Sequence, residues 1–296
     1  MKKMIAMLLA CMMIFACTAC AAKTEPAAPA EETAAEPAPA AEAPAAEEEA
    51  TEEAPAAEEA AADSDLAYIQ ANGKLVVGIT DFAPMDYQDE NGEWIGFDAD
   101  MAKAFAKSLG VEVEFVEIVW DNKLADLNGK NIDCVWNGMT LTEDVKAKME
   151  TSKPYCTNAQ VIVVPADKAE QYATAEACKE LSFAVENGSA GKDMAVENGF
   201  KYTEVTAQSD AVAEVASGTS DAAIIDLLMA GAMVGEGTGF AKLTYTAKLN
   251  SEDYGVGFRK GSDLAAALND FFAASLADGS MEKVATQYGV QESLIK

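Results

Sequence analysis

The chain has 296 residues, half of them hydrophobic and 24% charged, an ordinary globular balance with room for one large domain or two small ones. Its formal net charge is −29, which argues against nucleic acid as a partner and against a charge-driven hold on an anionic membrane, since both would repel it. There is no histidine and one arginine, Arg259, so the commonest general base, the Ser-His-Asp triad and the usual metal ligand are missing.

Lys2 and Lys3 form a basic start, and residues 4–16 are apolar. That length suits the hydrophobic stretch of a signal peptide and is too short to span a bilayer. The following Cys17-Thr18-Ala19-Cys20 resembles the bacterial lipobox, which makes residues 1–19 a lipoprotein signal peptide and Cys20 the lipid-attachment residue, with Cys17 as runner-up. An ordinary secretory signal is the alternative. The implied location is extracytoplasmic, anchored to the cell membrane by an N-terminal lipid. Residues 20–62 are nearly all Ala, Glu, Pro and Thr; from 21 to 62 they carry 12 Glu, one Lys, six of the nine prolines and no aromatic. Such a segment cannot bury enough apolar surface to fold and reads as a disordered tether.

The body begins with the apolar run Leu75–Ile79, a buried strand. Tyr87 to Trp94 reads as a hairpin turning at Asn91-Gly92. Asp98 is positioned to cap a helix that buries Met101, Ala102, Phe105 and Leu109 and ends at Gly110. Val111, Val113 and Phe115 alternate with acids as a strand does. Further strands are expected at Ile132–Trp136, Gln160–Val164, Leu181–Val185, Ala222–Ile225 and Tyr254–Phe258, with a short helix from Thr142 and two helices closing the chain. Strand alternating with helix is the α/β signature. Cys134, Cys156 and Cys178 are the body cysteines; an odd count leaves at least one unpaired within the monomer, and without histidine they make a poor zinc site. No cofactor and no metal are expected.

Several stretches together resemble the amino-acid family of ABC-transporter solute-binding proteins, the bacterial extracellular solute-binding proteins of family 3. They are LVVGITDFAPMDYQDENGEWIGFDADMAKAFAKSLGVEVEFV at 75–116, DCVWNGMTLTED at 133–144, SKPYCTNAQVIVV at 152–164, FAVENGSAG at 183–191, SDAAIID at 220–226 and YGVGFRKG at 254–261. The resemblance implies a two-lobed α/β fold of the type II periplasmic-binding-protein class with two crossover strands. Lobe 1 would be 65–157 plus 252–296 and lobe 2 would be 160–250, with Gln160–Val164 and Tyr254–Phe258 at the crossings. The implied function is a non-enzymatic substrate-binding lipoprotein that holds an amino acid or related ammonium-bearing solute between the lobes for an ABC transporter permease. A sensor or receptor lipoprotein is the alternative. Less favoured is a dehydratase on the same fold, in which an acid such as Glu186 or Asp81 would transfer protons.

The resemblance also implies a ligand site. Phe82 would stack on the ligand and Trp120 would form a wall. Asn137, Gly138, Met139 and Thr140 would offer a backbone carbonyl to its amine and a hydroxyl and N–H to its carboxylate. Ser189 and Ala190, in the loop after Gly188, would add donors to the carboxylate, and Asp226 would pair with the α-ammonium. A zwitterion leaving water needs both charges met by charge-assisted hydrogen bonds. One departure stands out: Val145 occupies the place where the family has a carboxylate-gripping arginine. Either Lys146, Lys148 or Lys153 takes over, or the ligand lacks an α-carboxylate, or backbone N–H groups and hydroxyls suffice. Asp81 and Glu186 stand either at the cleft or on the solvated surface.

Overall fold

The computed structural model describes residues 64–296, so the signal peptide, Cys20 and the 20–62 tether lie outside the described residues. Strand β1 (Lys74–Ile79) forms on the expected apolar run. Strands β2 (Tyr87–Gln88) and β3 (Trp94–Ile95) make the hairpin, its turn held by the Asp89 carboxylate accepting the N–H groups of Asn91 and Glu93. The next helix, Phe97–Ser108, buries Met101, Ala102 and Phe105 and stops before Gly110, whose φ of +74° ends it.

Asp98 does not cap this helix. Gly96 precedes the first turn, and Asp98 sits inside that turn with its side chain buried. The carboxylate reaches across instead, with Oδ2 accepting the Gly138 N–H and the Tyr155 hydroxyl, each at 2.7 Å. A cap must stand just before the first turn, a place Gly96 holds here, so the Asp98 carboxylate is free to serve Gly138 and Tyr155 instead.

The remaining strands are β4 (Glu112–Glu117), β5 (Cys134–Thr140), β6 (Glu150–Thr151) and β7 (Cys156–Asn158), then β8 (Gln160–Pro165), β9 (Ser182–Glu186), β10 (Lys201–Val205), β11 (Ala222–Asp226), β12 (Leu243–Lys248) and β13 (Glu252–Phe258). They form two main sheets. The first has the order β4-β1-β5-β13-β6, with β7 also on β13; β1 runs parallel to β4 and β5, and β13 antiparallel to β5. The second has the order β10-β9-β11-β8-β12, with β9 parallel to its neighbours and β8 antiparallel to its own. Strand β5 runs past the expected Trp136 to Thr140 because β13 pairs with both of its ends, Phe258 opposite Cys134 and Tyr254 opposite Thr140, with a register shift between them.

The chain passes between the sheets twice, at Ala159 between β7 and β8 and at 249–251 between β12 and β13. Glu252 ties the two passages together. Its Oε1 accepts from Asn158 Nδ2 at 2.7 Å and Gln160 Nε2 at 2.8 Å, and its Oε2 accepts from Asn250 Nδ2 at 2.8 Å. Helices cover both sheets. Trp136 packs against Phe105 and Phe272 with ring centroids 6.2 and 5.6 Å apart. Arg259 is a scaffold residue: it pairs with Asp65 at 2.9 Å and Asp133 at 3.1 Å and donates to the Leu127 and Ile132 carbonyls. Cys134, Cys156 and Cys178 are buried and free.

Candidate functional site

A cavity of about 330 Å³ opens where residues of both sheets converge. From the first sheet come the loop after β1 (Thr80 to Phe82), the end of β5 (Asn137 to Thr140) and the turn at Trp120; from the second come the end of β9, the loop at 188–190 and Asp226 at the end of β11. Strand ends of open α/β sheets are where backbone groups and loop side chains become free for a ligand. The nine residues expected at the cleft, Phe82, Trp120, Asn137, Gly138, Met139, Thr140, Ser189, Ala190 and Asp226, all line this one cavity.

Their hydrogen bonds divide them. Asp226 is 4% exposed. Its carboxylate accepts from Tyr254 Oη at 2.6 Å, from Gln208 Nε2 at 2.6 Å and from Asn158 Nδ2. These donors, and Gln160 beside them, are all neutral, so among the described residues no cation meets this buried carboxylate. Burial first, and the nearby Glu252 second, push its pKa up to about 7. Phe82 is buried with its ring edge-on to Tyr254, centroids 6.3 Å apart. Gly138 makes that position possible, because a Cβ there would overlap the Phe82 ring and its φ of +54° suits glycine.

Other side chains serve the scaffold. Asn137 accepts from the Thr80 hydroxyl at 2.6 Å and donates to the Thr80 carbonyl at 3.1 Å and to Asp86 Oδ2 at 2.8 Å, which fixes the loop that carries Phe82. The Thr140 hydroxyl donates to Glu252 at 3.0 Å, so it can meet a ligand as an acceptor. Ser189 caps the helix Ala190–Glu197, accepting from Lys192 N at 3.2 Å and donating to the Glu186 carbonyl at 2.8 Å. The first N–H groups of that helix, Ala190 among them, lack intrahelical partners and form the anion-friendly corner of the cavity.

Val145 borders the cavity as an apolar wall. Of the three lysines considered in its place, only Lys148 lines the cavity, and it pairs with Asp144 at 2.8 Å. Lys146 pairs with Glu143 at 3.0 Å away from the lining, and Lys153 is likewise absent from it. Lys123 is a lining residue that sequence reasoning missed. Its ammonium lies 4.6 Å over the Trp120 ring and donates to the carbonyls of Trp120 at 3.2 Å and Gly188 at 3.0 Å. Desolvation lowers its pKa, against the pull of Glu186 and Asp121. Asp81 and Glu186 both line the cavity; Glu186 is 3% exposed, and burial, then Asp226, raise its pKa to about 8.

The model of the bacterial extracellular solute-binding proteins, family 3, matches residues 75–291. The chain belongs to that family. Among relatives of this family 3 protein, the arginine-binding extracellular protein ArtP of Bacillus subtilis (strain 168) is 31% identical over 217 residues, 71% of this chain and 84% of that one. Among solved structures, a mutant of ArgBP from T. maritima is 32% identical with a TM-score of 0.71, covering 76% of this chain and 98% of the other. The ancestral amino acid-binding protein AncCDT-1, described as a precursor of cyclohexadienyl dehydratase, is 33% identical with a TM-score of 0.70, covering 76% and 99%. The type II periplasmic-binding-protein fold expected from the resemblance is the fold of these neighbours and of this family 3 chain.

Proposed function

We propose that this family 3 protein captures an amino acid, or a related small ammonium-bearing solute, in the cavity between its two sheets and delivers it to the permease of an ABC importer. The observation that carries this reading is Asp226. It is a buried carboxylate met by neutral protein donors alone, in a cavity that also holds an aromatic face at Phe82 and free helix N–H groups at Ala190. The arginine-binding and amino acid-binding relatives support the same solute class. Lobe 1 would be 65–157 plus 252–296 and lobe 2 would be 160–250, closing on the ligand through the passages tied by Glu252. Cys20 would carry the lipid, and residues 20–62 would tether the body outside the cell membrane.

The test is a thermal-shift screen of the purified protein with the proteinogenic amino acids, ornithine and diamines. A ligand that binds only the folded form raises the melting temperature by mass action. A shift with one class is expected; no shift with any free amino acid or amine overturns the reading.

A second reading has one observation in its favour. Glu186 is a carboxyl in the cavity whose pKa of about 8 keeps it a proton donor at neutral pH, and AncCDT-1 is described as a dehydratase precursor. We read the chain as a binder, because it has no histidine to transfer protons and its relatives are described as binding proteins. Turnover of arogenate by the purified protein would overturn that.

A further inference from the structure

The nine expected residues leave Glu186 without a task. It ends β9, faces the same cavity as Asp226, and is as deeply buried. The groups that face it are Asp226 from β11, Gln208 from the helix Gln208–Ser217, and Lys123 from the opposite wall. Among the described residues it has no ion-pair partner. The cavity is lined by six carboxylates and three ammonium groups, a formal charge of −3. Two of those ammonium groups are already paired, Lys148 with Asp144 of the same lining and Lys192 with Glu204 outside it, each at 2.8 Å. Lys123 gives two N–H groups to backbone carbonyls.

We propose that Glu186 is a specificity-determining residue that selects ligands with a second positive charge, so that the cavity takes a basic amino acid or a diamine rather than a neutral or acidic amino acid. This rests on the reading of the cavity as an amino-acid site. Two carboxyl groups buried side by side cannot both ionise without a cation between or beside them. Asp226 takes the first ammonium, and its three protein donors fix it in place. A neutral side chain would leave Glu186 to be neutralised by a proton. A guanidinium or second ammonium replaces that proton and makes the desolvated pair favourable. Val145 acts in the same direction, since it removes a cation from the wall. Glu186→Gln keeps the shape and removes the charge.

Isothermal titration of the purified protein decides it, using matched ligand pairs: arginine against citrulline and lysine against norleucine. The wild type is expected to bind the charged member of a pair at least about 30-fold more tightly, the effect of a buried, hydrogen-bonded charge pair. Glu186→Gln is expected to abolish that gap while keeping the neutral member within about threefold. Putrescine tests whether a carboxylate is needed at all. A wild type that prefers neutral or acidic amino acids overturns the proposal whatever the variant does, so misfolding of Glu186→Gln cannot rescue it. A gap that survives unchanged in a folded Glu186→Gln overturns it too. Binding of neutral amino acids that is lost in Asp226→Asn leaves the amino-acid reading standing while this inference falls; no binding of any tested ligand ends both.

Discussion

Asp121 and Gly188 meet across the cavity from opposite sheets: a Cβ on Gly188 would lie 2.7 Å from Asp121 Oδ1 and 3.1 Å from its Cα. Beside this contact Asn187 Nδ2 donates to Asp121 Oδ2 at 3.0 Å, and Lys123 Nζ donates to the Gly188 carbonyl at 3.0 Å. Gly188 also holds a φ of +72°. The two walls therefore approach as closely as backbone and side chain allow, and only glycine fits between them.

Gly188→Ala is expected to keep the walls apart. The left-handed backbone costs a non-glycine residue about 1–2 kcal/mol, and the added methyl opposes closure on top of that. Ligand affinity should fall about tenfold or more. Titration calorimetry measures it, and small-angle scattering should show a smaller ligand-induced compaction than in the wild type. Unchanged affinity would mean that the contact does not limit closure.

Asp226→Asn should weaken binding of an amino acid by about 2–5 kcal/mol, because a buried charged partner is removed. The deaminated analogue, which has no ammonium for Asp226 to meet, should lose far less. Equal losses for the two ligands would detach Asp226 from the amine.

Asp98→Ala should destabilise the fold by about 3 kcal/mol in urea denaturation, since the Gly138 N–H and the Tyr155 hydroxyl both lose a buried acceptor. Ligand affinity should fall as well, because Gly138 is part of the cavity wall. A variant of native stability would show that neighbouring groups replace the acid.

The ligand-free protein should lose stability as pH rises from about 4 to about 8. Burial raises the pKa of Asp98 and Asp226 to about 7 and that of Glu186 to about 8, against about 4 in the unfolded chain. Asp98 faces Asp86 and Tyr155, Asp226 faces Glu252, and Glu186 faces Asp226 and Lys123. Between those limits the folded state holds protons that the unfolded state has released, so stability is full below about pH 4 and drains away as pH passes through 7 and 8. With no histidine in the chain, no imidazole adds to the titration in that window. Melting temperatures at three pH values measure the trend, and Glu186→Gln should flatten its upper end. A profile that rises with pH contradicts it.

Much of this was legible from residue patterns. Leu75–Ile79 is a strand because apolar β-branched runs bounded by turns have few other uses, and Thr142 caps its helix as its hydroxyl suggests, accepting from Val145 N at 3.1 Å. Asp98 misled because a cap is defined by local sequence, whereas its real partners, Gly138 and Tyr155, lie 40 and 57 residues away. Strand β5 looked finished at Trp136 because Asn137 and Gly138 are poor strand formers; they fall where the ladder shifts register, and pairing with β13 resumes beyond them at Met139 and Thr140. Lys123 was invisible for another reason. A lysine beside apolar Leu124 is ordinarily solvated, and only the approach of the Gly188 loop encloses it.

The three body thiols are sealed inside the fold. Cys134, Cys156 and Cys178 each have no exposed surface, and burial pushes all three thiol pKa values up, so thiolate is scarce and oxidants have no access. For the exported chain proposed above, with its odd number of body cysteines, the hazard would therefore be confined in time. Two copies could cross-link in the interval between export and completion of the fold, and afterwards an oxidising exterior would find no accessible thiol in the described body.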